Sequence, residues 1–167
     1  MSQNTIETGP KIRLIEKKDN AMVAEIIRSV MTEFKAVGQG FSITDTEVDD
    51  MHGAYQSKGS AFYVVELHDR VLGCGGFAPL SGGDRLTCEL RKMYFKPELR
   101  GRGAGADLLK LCLEEAHKAG FKHCYLETLN EMKEACYLYG KQGFSHLEQP
   151  MGNTGHTSCG TWMSKTL

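Results

Sequence analysis

"ELRGRGAGADLL", residues 98–109, places three glycines and two arginines ahead of a leucine-bearing run. Glycine permits positive φ and lets a ligand approach the main chain closely. Arginine supplies a planar fork of donors suited to phosphate. Leu108, Leu109, Cys112, Leu113 and Ala116 then recur at helical spacing, and Gly120 ends the run. A helix therefore begins near Gly103, and its N-terminus carries free N–H groups and the positive end of the helix dipole. The stretch is suited to an anion, a phosphate above all.

The remainder of the chain sets bounds. Its 167 residues fit one domain over 11–167, preceded by a polar, loosely ordered lead-in at 1–10. Hydrophobic residues make up 41% and charged residues 25%, near globular averages. A net charge of −1 lacks the basic excess that nucleic-acid binding needs. No apolar run is long enough for a membrane span, and "MSQNTIETGP" has no signal-peptide pattern. Six cysteines without a C-x-x-C read as reduced, buried thiols of a cytoplasmic protein. His156 and Cys159 come nearest to metal spacing, but one such pair is too little, and no metal is expected.

The pattern predicts a mixed α/β (α+β) domain in the order β-α-α-β-β-β-α-β-α-β-β. "KIRLIE" (11–16) reads as a strand. Asp19 caps a helix whose apolar face runs from Met22 to Phe34, and Thr44 with Glu47 forms a capping box for a second helix. Two strands flank His68–Arg70 as a hairpin, and a third spans 85–95, ended by Pro97. After the glycine loop and its helix come a strand over 122–129 and a short amphipathic helix through Met132, Ala135, Leu138 and Tyr139. Two final strands follow at 144–149 and 159–167. The middle strands are antiparallel neighbours, and the crossover helix favours one parallel pair.

Three phosphate loops compete for residues 98–109. The pattern G-x-x-x-x-G-K-[ST] is excluded, since no lysine followed by Ser or Thr stands there. Gly101, Gly103 and Ala106 satisfy the dinucleotide pattern G-x-G-x-x-A, with Glu127 about 20 residues on. That pattern follows its strand directly and opens a series of β-α-β units. Here Lys96–Arg100 intervene, and four strands precede the loop. The third pattern, R-x-x-G-x-G, is met by Arg100, Gly103 and Gly105, and it resembles motif A of the GNAT superfamily of acyl-CoA N-acyltransferases. A second segment, "ACYLYGKQGF" (135–144), is similar to that family's A-x-x-L-Y-x-K-x-G-F. One helix and one strand separate the two, as in the family. The motif-level resemblance covers about 88–144, and the element order agrees from about residue 11 to the end.

The resemblance implies a mostly antiparallel sheet whose strands 85–95 and 122–128 splay into a V. Pantetheine of acetyl-CoA would lie there along the main chain of Met93, Tyr94 and Phe95. The pyrophosphate would sit on the N–H groups of Gly101, Arg102, Gly103, Ala104, Gly105 and Ala106, with charge from Arg100 or Arg102. Tyr139 stands where the family's tyrosine protonates the leaving thiolate. The family often carries a pantetheine-binding asparagine where this chain has Met132; Asn130 is the nearest substitute. Frequent dimers in the superfamily make a homodimer one expectation.

An amine acceptor with a pKa near 10 must lose a proton before it attacks. Glu89, on the strand lining the cleft, is the first candidate for base or water-orienting group; its bland alternative is an ion pair with Arg91. Glu127 is a second candidate. Cys88 reads as a packed thiol, and His156 lies near the expected substrate loop. The stretch 37–50 and residues Met31, Phe34, Phe41 and Tyr55 wall the acceptor side. The expected activity is acetyl transfer from acetyl-CoA to a primary amine by direct attack, without metal. The alternatives are a non-catalytic acyl-CoA-binding module and a dinucleotide-dependent oxidoreductase.

Overall fold

The computed structural model describes residues 8–167, so most of the predicted lead-in, residues 1–7, lies outside the described residues. The elements are β1 (Lys11–Leu14), α1 (Asn20–Glu33), α2 (Met51–Ala54), β2 (Ala61–Leu67), β3 (Arg70–Pro79), β4 (Thr87–Phe95), α3 (Ala104–Lys118), β5 (His123–Leu129), α4 (Lys133–Lys141), β6 (Ser145–His146) and β7 (Gly160–Thr166). They form one seven-stranded sheet in the order β1-β2-β3-β4-β5-β7-β6. Among the described residues only β4 and β5 run parallel, joined by the α3 crossover. The other neighbouring pairs are antiparallel.

Each face of the sheet has its own core, because strand side chains alternate. In β2, Tyr63 and Val65 point toward α3, while Phe62 and Val64 point toward α1. The apolar face of α1, with Val23, Ile26, Ile27, Val30 and Met31 buried, covers one side. The stripe Leu108, Leu109, Cys112 and Ala116 of α3 covers the other. Truncating Leu108, which is fully buried, to alanine costs about 2–5 kcal/mol by the usual cavity effect.

Two features of β4 shape the site. It pairs with β5 only at Thr87↔His123, Cys88↔Cys124 and Glu89↔Tyr125, so the strands diverge beyond Glu89. It also carries a bulge against β3: Cys74 faces Tyr94 and Gly76 faces Arg91, leaving Lys92 and Met93 opposite Gly75 alone. Lys92 takes φ of 50°, a left-handed conformation uncommon for a lysine. The bulge puts Arg91 and Lys92 on the same face, the α1 side, while Leu90 and Met93 join the α3-side core. Gly75 fits against the bulge, where a Cβ would lie 3.2 Å from the Met93 Cα.

Several local expectations are corrected. Thr44 and Glu47 form no capping box: the Thr44 hydroxyl donates to the Phe41 carbonyl, and Thr44 ends a short 3-10 turn. The second helix is a single turn, capped by Asp50, whose carboxylate accepts from the Gly53 N–H. Asp19 sits at the start of α1 but does not cap it. Its carboxylate takes the Glu16 N–H and both ends of the Arg13 guanidinium instead, tying the helix to β1. The strand predicted over 144–149 shrinks to Ser145–His146. The strand predicted from residue 85 begins at Thr87, because Asp84 accepts from the Leu86 N–H and the Thr87 hydroxyl in a turn.

Candidate active site

Where β4 has parted from β5, a cleft of about 860 Å³ lies between the end of β4, the start of α3 and α4. It runs from Met93–Phe95 on β4, past the loop and first turn of α3, to Ala135, Leu138 and Tyr139 on α4. Its size suits an extended cofactor. At the α3 end, Gly103 takes φ of 80°, and nothing lies within 4 Å of where its Cβ would stand. The first N–H of the turn with a helical partner is that of Asp107, which donates to the Gly103 carbonyl at 3.1 Å. The amides of Ala104, Gly105 and Ala106 are therefore the free N-terminal donors of α3, and no side chain caps them.

Of the residues predicted to hold the cofactor, Met93–Phe95, Arg100, Gly101 and Gly103–Ala106 line this cleft, and so does Tyr139. Arg100 is engaged elsewhere: its guanidinium grips Glu33 of α1 through two bonds of 2.7 Å and lies over the Phe34 ring. Glu33 in turn holds the Arg100 pKa above its ordinary value. Arg102 is exposed, donates to the Glu98 carbonyl at 3.1 Å, and does not line the cleft. Asn130 is turned to β7, where its carbonyl oxygen accepts from the Thr161 hydroxyl; it too lies outside the cleft lining.

The Tyr139 ring is buried against Phe144, and burial raises its phenol pKa, which keeps the proton on oxygen. A second, smaller cavity of about 40 Å³ sits deeper between β4 and β5, with room for a water molecule. Tyr139 and Met93 line it together with Lys92 and Glu127. It thus touches residues of both faces of the sheet.

On the α1 side, side chains from four separate segments converge. Lys92, with 2% of its side chain exposed, donates to Asp45 at 2.7 Å and Glu47 at 2.5 Å. Glu47 also accepts from the Tyr55 hydroxyl at 3.1 Å. Asp45 meets Nε2 of His156 at 2.9 Å. Burial works against the Asp45 charge, but the bonds from His156 and Lys92 prevail and hold its pKa below the usual value. The same bond from Asp45 raises the His156 pKa. Glu89 is buried and ion-paired with Nε of Arg91, the bland alternative of the sequence analysis. Glu127 accepts from the Thr154 hydroxyl; burial, reinforced by the Glu89 charge, raises its pKa.

Glu89, Glu127 and His156 offer three ligand atoms within 4.8 Å of one another. Each is already bonded, to Arg91, Thr154 and Asp45 respectively, and Lys92 shares Asp45 with His156. A divalent ion would have to break those bonds beside two cations, so the donor set fits a metal poorly. The cysteines are free thiols; Cys74, Cys88, Cys112 and Cys124 are buried. Burial lifts the Cys74 pKa to about 12, which suits packing rather than nucleophilic attack.

The sequence analysis missed Lys92 and the pairing of Asp45 with His156. The glycine-rich run 73–76 inside a strand was the available signal for the bulge that turns Lys92 inward. Asp45 and His156 stand 111 positions apart, and no local pattern joins them.

Comparisons with known proteins bear on the fold and the family. A model of the acetyltransferase (GNAT) family matches residues 24–144. The uncharacterized N-acetyltransferase YjgM of Escherichia coli is 39% identical over 165 residues, covering 98% of this chain and 99% of its own. Among solved structures, a GNAT-family acetyltransferase of Staphylococcus aureus superposes with a TM-score of 0.81 at 17% identity, covering 95% of this chain and 99% of its own. The yncA acetyltransferase structure from Salmonella typhimurium, solved with its cofactor acetyl-CoA, gives 0.74 at 22% identity, over 95% of this chain and 94% of that one. With a family model matched over more than half its length and a relative aligned from end to end, the chain belongs to the GNAT family and is an acetyl-CoA-dependent N-acetyltransferase.

Proposed function

We propose that the protein transfers the acetyl group of acetyl-CoA to a primary amine by direct attack within a ternary complex. The observation that carries this reading is that Met93, Tyr94, Met132 and Tyr139 line both the larger cleft and the smaller cavity. At one end lie uncapped amides at the start of a fifteen-residue helix, at the other a buried phenol and, through the smaller cavity, a cluster of ionisable groups on the opposite face. In this reading the pyrophosphate rests on the amides of residues 101–106, and pantetheine runs along the main chain of Met93–Phe95. Arg100 exchanges Glu33 for phosphate, or Arg102 swings in from solvent. Asn130 contributes only if it releases Thr161.

The amine nitrogen attacks the thioester carbonyl carbon. The oxyanion takes an N–H from the bulged part of β4, where the main chain is free of β5. The carbon–sulfur bond breaks, and Tyr139 gives its proton to sulfur. Glu89, paired with Arg91, serves as a fixed negative neighbour that favours a proton on the acceptor side. Neither phosphate nor thiolate calls for a metal here. The six free thiols fit a reducing compartment, and we place the activity in the cytoplasm.

A non-catalytic acyl-CoA-binding module would have no use for Tyr139. The two readings part in a thiol-release assay with a panel of amines. Amine-dependent release of coenzyme A supports transfer, whereas binding without release leaves only the module.

A further inference from the structure

We propose that Lys92 is a positioning residue: held by Asp45 and Glu47, it fixes the Lys92–Met93 peptide so that the Met93 N–H meets the thioester carbonyl oxygen of acetyl-CoA. This rests on the cofactor placement of the reading above, along Met93–Phe95. No step of that transfer uses Lys92, yet the fold takes pains to bury it. Its side chain is 2% exposed, and a buried cation is costly unless it is paired. Here it is paired twice, with Asp45 at 2.7 Å and Glu47 at 2.5 Å.

The backbone shows what the pairing holds. Lys92 is the first of the two bulge residues opposite Gly75, and its φ is 50°. A lysine keeps that conformation only where its surroundings over-determine it. The Lys92 carbonyl accepts from the Cys74 thiol of β3 at 3.3 Å. In a trans peptide the carbonyl and the following N–H point in opposite directions. The Met93 N–H therefore points away from Cys74, toward the side on which β4 pairs with β5 only as far as Glu89. Met93 lines both the cleft and the smaller cavity there, and so does Tyr139. An N–H aimed into that space stands where the oxyanion of acyl transfer needs a donor.

The hold is doubled. Met93 projects toward α3, whereas Lys92 and Tyr94 on either side of it project toward α1. The Tyr94 hydroxyl shares a 2.8 Å hydrogen bond with the Ser42 hydroxyl. One short segment, 42–47, thus grips β4 on both sides of Met93. That segment is itself anchored. Asp45 meets His156 at 2.9 Å, and Glu47 accepts from the Tyr55 hydroxyl at 3.1 Å. Just beyond it, Asp49 accepts from Arg28 of α1 through bonds of 2.8 and 3.0 Å. A flip of the Lys92–Met93 peptide would have to strain two buried ion pairs and the Cys74 contact together.

Lys92 acts on the reaction only through the peptide it holds, and this gives its loss a signature. Without the cation the peptide is released, so polarisation of the thioester carbonyl goes. The amides at the start of α3 are untouched, so the rest of the cofactor still binds. A residue that only filled space would not separate the two.

The test compares wild type, Lys92→Met, Lys92→Arg and Tyr94→Phe as full-length protein in the cold. Acetyl-CoA labelled with carbon-13 at the carbonyl is bound to each, and its carbonyl band is read by infrared difference spectroscopy. Coenzyme A affinity is measured by calorimetry. Wild type should move the band below its position in free acetyl-CoA. Lys92→Met should bind coenzyme A within about 3-fold of wild type, return the band toward the free position, and lose about 100-fold in kcat with the amine that wild type turns over fastest. Lys92→Arg keeps a cation against Asp45 and Glu47 and should recover part of the band shift and of the rate. Tyr94→Phe removes only the bond to Ser42 and should cost about 5-fold in kcat. A folded Lys92→Met with the wild-type band, and kcat within about 3-fold, would overturn the proposal. So would an unshifted band in wild type, or loss of coenzyme A affinity together with the band in Lys92→Met. Should Lys92→Met fail to fold, Tyr94→Phe and Glu47→Gln decide, and wild-type band and rate in both would overturn it equally. A band shift that Lys92→Met abolishes, with no amine-dependent release by wild type, would sustain the clamp and bring down the transfer reading instead.

Discussion

At the α3 end of the cleft the chain offers main chain: two glycines at positive φ, uncapped helical amides, and an Arg100 whose charge Glu33 already occupies. Across the sheet it offers side chains: Asp45, Glu47, Glu89, Arg91, Lys92, Glu127 and His156 within one network. The first arrangement recognises by geometry and the second by ionisation. The difference shows in how each end should respond to substitution. The α3 end is sensitive to backbone conformation and steric cover, whereas the acceptor end is sensitive to charge removal and pH.

Four experiments break or sharpen that contrast. The largest effect should come from Lys92→Met. Its side chain is nearly inaccessible, and its loss leaves Asp45 and Glu47 without their shared cation. Discounted for the partial exposure of both carboxylates, the cost is about 3 kcal/mol. That corresponds to a fall in Tm of roughly 6–12 °C in a domain of this size. An unchanged melting curve would remove Lys92 from the account of the acceptor end.

Next, Tyr139→Phe should bind acetyl-CoA normally and lose about 100-fold in kcat. Binding and turnover measured on one preparation separate an acid from a packing residue, since a packing role would lower stability and leave kcat in place. Gly103→Val forces a β-branched residue into the left-handed region and covers the α3 amides. Acetyl-CoA affinity should fall about 10-fold or more, with turnover at saturation retained. Lost turnover at unchanged affinity would invert the assignment of the two ends.

The smallest effect is on pH. The folded pKa of His156 is raised by Asp45, so its contribution to stability is complete below the unfolded value of about 6.5. It is lost as pH rises through the folded value. The Asp45 contribution has the opposite sense, present above about 3.8 and lost as pH falls through its lowered folded value. Urea titrations of wild type and His156→Ala should therefore differ most near pH 5–6, with the gap narrowing by about 1 kcal/mol toward alkaline pH. A constant gap would mean that the Asp45–His156 contact is not ionic.

The contrast also governs what was legible in the sequence. The α3 end is contiguous: strand, proline turn, glycines and apolar helix follow one another in residues 85–119. Tyr139 sits on a helix whose pattern is equally local. Helical periodicity placed α1, α3 and α4 within a few residues. The acceptor end is assembled from segments that meet only after the sheet closes, and its key pair spans 111 positions. Glu89 and Arg91 were readable as partners because a strand puts i and i+2 on one face. Lys92 was not, because only a bulge can bring i+1 to that face as well. Asp19 and Thr44 misled for a related reason: both have cap-like residue types and neighbours, but tertiary or turn partners took their side chains.

The most direct test of the account is a calorimetric titration of the protein with acetyl-CoA, with NADH run in parallel. Saturable binding of acetyl-CoA in the micromolar range, weakened in Gly103→Val and absent for NADH, is the predicted result. Binding of NADH without acetyl-CoA would contradict it, because the loop would then be holding a dinucleotide and the role assigned to Tyr139 would have no thioester to act on.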